Sequence, residues 1–104
     1  MSAEPRFQQL AAALLPDPEV TEATGFGATP GMRVKGKIFA MLAKGELVVK
    51  LPKERVDELV ASEAGTHFDP GHGRLMKEWA SVPEDSAEDW ERLAREALQF
   101  VGSR

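Results

Sequence analysis

Residues 31–59, GMRVKGKIFAMLAKGELVVKLPKERVDEL, constrain the fold more than any other part of the chain. Apolar residues alternate with lysine and arginine through residues 32–38, which is the period of a strand with one buried face. Met32, Val34, Ile38 and Ala40 point one way, with Gly36 among them, and Arg33, Lys35 and Lys37 point the other, so residues 32–41 read as one strand. The alternation fails at Phe39 and Met41, which places these two on the outer face and implies that this end of it is covered. Ala43-Lys44-Gly45-Glu46 is a hairpin turn, with Gly45 free to take positive φ. Leu47, Val49 and Leu51 then form an inward set, and Val48 and Lys50 face outward. Pro52 opens a helix, where its missing N–H costs nothing. Val56, Leu59 and Val60 are the buried side of that helix, and Gly65 is its stop.

The flanks complete a pattern. Phe7, Leu10, Ala11 and Leu14 recur at helical spacing, and Pro16 and Pro18 end that helix. Residues 20–24 fit a short strand, and Gly25, Gly27, Pro30 and Gly31 break it into a loop. His67 and Phe68 start a strand fragment that runs into a Pro/Gly turn, and residues 75–82, LMKEWASV, form the next strand. Ser86 with Asp89 resembles a capping box. Trp90, Leu93, Ala94, Ala97, Leu98 and Val101 make the best apolar stripe in the chain. The expected order is α-β-β-β-α-β-β-α: a two-layer α+β domain with an antiparallel sheet of about five strands and helices on one face. One domain over residues 1–104 suits the length.

Charge and composition bound the function. The chain carries −4 overall, yet residues 31–55 hold seven basic and two acidic side chains, a local +5 against −9 elsewhere. Such asymmetry suits a surface that meets anions, and equally a sheet kept from edge-to-edge aggregation by lysine. Arg33, Lys35, Lys37 and Lys50, with Arg74 and Lys77 near, are the candidates for DNA or another anion. A sequence pI of about 5.2 lies below the basic value of a dedicated nucleic-acid domain, and no helix has a base-reading face. Phe39, Met41 and Trp79 are the candidates for protein contact, with a partner or a second copy in a homodimer. There are no cysteines, the N-terminus lacks a basic n-region, and no apolar run approaches the roughly 18 residues of a membrane span. These features suit a cytoplasmic protein with no membrane contact. His67, Asp69 and His72 lie on a turn with no second ligand cluster, so no metal is expected. Gly25-Phe26-Gly27 lacks the third glycine of a dinucleotide loop, and no nucleophile elbow or Walker motif occurs. Neither an enzyme nor a cofactor is expected.

Gly36 to Ala40, Leu47 to Leu51, Gly73 to Trp79 and the closing helix from Trp90 to Val101 carry a resemblance. Their Gly-Lys-ϕ-Phe-Ala, Leu-x-Val-Lys-Leu and Gly-Arg-x-Met-Lys-Glu-Trp patterns are similar to those of the small bacterial MmcQ/YjbR-like proteins and the related N-terminal domain of TfoX/Sxy. Gly25-Phe26-Gly27 stands where the family often has Met-Phe-Gly. The resemblance implies the small fold found also in type III secretion chaperones. It further implies a DNA-binding or regulatory role, a label that rests largely on family naming. The alternative is a chaperone-like or self-associating protein-interaction module with no nucleic-acid binding.

Overall fold

The computed structural model describes residues 3–24, 30–68, 76–86 and 88–103. Among these residues the chain runs α1 (Ala3–Leu14), β1 (Val20–Thr24), β2 (Pro30–Val34), β3 (Lys37–Ala43), β4 (Glu46–Lys50), α2 (Lys53–Ala61), β5 (Thr66–Phe68), β6 (Met76–Val82) and α3 (Trp90–Gly102). The strands form one antiparallel sheet in the order β1-β2-β3-β4-β6-β5. All three helices pack on the same face. Their stripes, Phe7, Leu10 and Leu14 of α1, Val56 and Leu59 of α2, and Trp90, Leu93, Ala94, Ala97 and Val101 of α3, meet Met32, Leu47, Val49 and Val82 in one core. The expected two-layer α+β class is the observed one.

The sheet has six strands because residues 32–41 are two strands and not one. Lys35 (φ 53°) and Gly36 (φ 80°) form a tight turn between β2 and β3, and Lys44 (φ 53°) and Gly45 (φ 75°) repeat it between β3 and β4. Positive φ at both central residues is the type I′ arrangement, whose twist matches that of paired strands. Gly36 is therefore a turn residue, not an inward strand position. A bulge adds a second departure. Met32 faces Ala40 and Arg33 faces Ile38, leaving Phe39 as the extra residue on β3. The bulge turns Phe39 to the helix side, where it is 0% exposed, and puts Ile38 on the helix-free side.

The helix-free face also differs from expectation. Val48 faces no solvent. It lies buried with Met41, Ala43, Phe68 and Trp79 in a second apolar cluster against which Ile38 packs. Ser81, opposite Val48 on β6, is buried among them and donates its hydroxyl to Glu46 Oε1 at 2.5 Å. That bond offsets the desolvation of the hydroxyl.

The helix ends are capped by residues other than the expected Gly65 and Ser86. Glu63 (φ 63°) takes the left-handed position after α2, and Ala64 N–H and Gly65 N–H both return to Leu59 O. Gly65 answers a packing demand, since a Cβ there would lie 2.9 Å from the Ser81 carbonyl oxygen. Asp89 alone caps α3, accepting from Glu91 N–H at 3.1 Å. Ser86 accepts instead from Glu88 N–H and donates to Ala64 O at 2.7 Å, linking the segment before α3 to the end of α2.

Candidate anion-binding end of the sheet

Antiparallel pairing carries the basic residues to one end of the sheet. β2 finishes at Val34, β3 starts at Lys37, β4 finishes at Lys50 and β6 starts at Met76, and these four termini lie side by side. Arg33, Lys35, Lys37, Lys50 and Lys77 therefore sit within the last few residues of four adjacent strands or in the turn that joins two of them. At roughly 4.8 Å per strand spacing the row spans about 14 Å from β2 to β6. Lys53, at the start of α2, follows directly after this end.

The row is an end and not a face, which corrects the expectation that Arg33, Lys35, Lys37 and Lys50 share one side of a strand. Arg33 pairs with Ile38 and so belongs to the helix-free side, whereas Lys37 pairs with Val34, which is buried under the helices. Lys35 lies in the turn. Its Nζ donates to Gly102 O at 2.7 Å and stands 3.7 Å from Glu19 Oε2, so it caps the last turn of α3. A cation suits the negative end of a helix. Lys50 is half-buried, 4.0 Å from Glu78 Oε1, with its Nζ 5.7 Å from the centre of the Trp79 ring. Arg33, Lys37 and Lys77 are exposed, with no ion pair or hydrogen bond among the described residues. Arg74 lies outside the described residues, as do Asp69, His72 and Gly25-Phe26-Gly27.

Electrostatics differ at the other end. Glu46 opens β4, Glu84 and Asp85 follow β6, and Glu4 lies in the first turn of α1. Against these stand Lys44 in its turn and Arg6, which donates to Glu84 O and lies 4.7 Å from the centre of the Trp90 ring. The two ends of the strands thus differ in their side-chain charges, although Glu19 and Glu78 add acidic charge at the basic one.

Among the described residues, the titratable groups with shifted pKa values lie on α2 and owe their shifts to ion pairs. The hydrogen bond from Lys53 lowers the Asp57 carboxyl and raises the Lys53 ammonium. Glu96 raises Arg55, which holds it through Nε at 2.9 Å and a second bond at 3.2 Å and also reaches Glu58 and Glu88. This cluster ties α2 to α3. His67 Nε2 is 3.6 Å from Asp57 Oδ1, and no group of three potential metal ligands occurs among the described residues.

The three residues expected to contact protein are placed otherwise. Phe39 belongs to the helix-side core, which corrects its assignment to the outer face. Met41 and Trp79 do lie on the helix-free side, but at 0% and 6% exposure they are packed within it. The signal was available in the run Ile38-Phe39-Ala40-Met41-Leu42-Ala43, because a strand with no polar position is one buried on both faces. No local pattern marks Glu19 and Glu78, the carboxylates beside Lys35 and Lys50, because their pairing depends on the fold.

A two-layer α+β domain with a cationic sheet end is the class that fold and site define. A family model described as YjbR matches residues 15–99, and the chain belongs to the YjbR family. No curated protein and no solved structure matches it significantly.

Proposed function

We propose that the protein is a non-catalytic binding module that holds DNA by its phosphates at the cationic end of the sheet. One observation carries this reading: Arg33, Lys37 and Lys77 stand exposed and without ion-pair partners among the described residues, on strand ends that the fold gathers together. The acidic groups at the opposite end orient the protein, so that a polyanion meets this end first. Trp79 is too buried to stack on bases, and no helix among the described residues presents a base-reading face, so the contact is to backbone and carries little sequence preference. We place the protein in the bacterial cytoplasm, where DNA is at hand and a cysteine-free chain is at home. No helix among the described residues is long and apolar enough to cross a membrane.

The test is fluorescence anisotropy of a labelled duplex at about 50 and 200 mM salt. Three phosphate contacts predict a loss of about 40-fold in affinity across that interval. The combined change Arg33→Glu, Lys37→Glu and Lys77→Glu abolishes binding. A wild-type protein that ignores duplex at low salt removes the DNA reading. The same cations then point to an acidic protein partner, to be sought by pull-down with wild type and variant.

A further inference from the structure

Two cations of the row are already engaged inside the protein. Lys35 lies between Glu19 Oε2 at 3.7 Å and Gly102 O at 2.7 Å. Lys50 lies 4.0 Å from Glu78 Oε1. Neither pair is buried: the side chains are 52% and 57% exposed in the first and 30% and 39% in the second. Exposed pairs of this kind are weak, and a phosphate that brings more charge to the same ammonium displaces the carboxylate. Glu19 stands just before β1, and Glu78 lies in β6 next to Lys77. Each carboxylate thus places negative charge at the end where the fold gathers its cations.

We infer that Glu19 and Glu78 are internal competitors that limit polyanion binding at this end by occupying Lys35 and Lys50. The inference rests on the phosphate-binding reading of the row and adds its regulation. In the free protein three cations are open and two are held. A bound polyanion recruits the held pair only after displacing the carboxylates, so binding stays weak and reversible for a surface with five basic groups.

The test compares wild type with Glu19→Gln, Glu78→Gln, the double variant and Glu4→Gln, which removes the same charge from the far end. Two probes are used: a labelled DNA duplex followed by anisotropy, and the salt concentration that elutes each protein from immobilised heparin. Each competitor variant is expected to bind about two- to fivefold more tightly at low salt, with the two effects multiplying. The slope of log affinity against log salt steepens by about 0.9 for each cation released. Glu4→Gln leaves both readouts at the wild-type value. If Glu19→Gln and Glu78→Gln match wild type on both probes, or if Glu4→Gln tightens binding as much as they do, the inference is overturned. Failure of every variant to be retained on heparin overturns it too. Later heparin elution of the competitor variants with no duplex binding by any protein upholds the competitors and removes DNA as the ligand.

Discussion

The two faces of the sheet are both packed, but from different sources. The helix side draws on all three helices and most of the strands, so its core joins residues from one end of the chain to the other. Among the described residues, the helix-free side is closed by side chains of β3, β4, β5 and β6. One face is a tertiary product of three amphipathic stripes; the other follows from strand composition, above all the unbroken apolar run of β3. A sheet of this kind tolerates polar charge only at its ends, and there the basic residues collect.

The comparison can be broken most severely at Leu93, which is 0% exposed in the centre of the helix-side core. Leu93→Asp buries a carboxylate without a partner and should abolish cooperative folding, seen as the loss of a thermal transition by circular dichroism. The helix-free face predicts a lesser effect. Trp79→Ala removes the largest side chain of the smaller cluster and costs about 3 kcal/mol, a fall of roughly 15 °C in melting temperature, with the fold retained. Equal damage from the two substitutions would mean that the faces are one cooperative core. The outer surface of the helix layer sets the lower limit. Lys53 donates to Asp57 Oδ2 at 2.9 Å, and that bond depresses the Asp57 pKa. A depressed carboxylate contributes stability above its unfolded pKa and loses it as pH falls through the folded value. Asp57→Asn should therefore lower stability slightly near neutral pH and converge with wild type in acid, which flattens the acid limb of the pH profile. The raised ammonium of Lys53 acts in the opposite sense, its contribution fading as pH climbs through its folded pKa.

Elements that declare themselves locally were legible in the sequence. The stripes of α1 and α3, the Lys44-Gly45 hairpin and the strand before Pro52 each follow from spacing over a few residues. The Lys35-Gly36 turn was hidden although it has the same dipeptide. It interrupts an alternation that a single strand explains equally well, and lysine is not the residue that marks such turns. The bulge at Phe39 is invisible for a related reason, because its only sign is a register shift against β2. For the site, the sequence identified the basic residues but not their arrangement. Lys35 meets Gly102 across 67 positions, and no local pattern reports that contact.

The strand order has a kinetic consequence. β1 to β4 are neighbours in sequence and in space, so three of the five pairings in the sheet close over short turns and loops. Such local pairings form early and cheaply. The β4–β6 pairing is different: Val49 meets Ala80 only after α2 and β5 have been spanned. Joining the meander to the β5–β6 pair is thus the slow commitment in building this domain. Changes that weaken the first hairpins or the β4–β6 seam should therefore retard folding, while changes to contacts made only after that step chiefly alter how long the finished structure lasts.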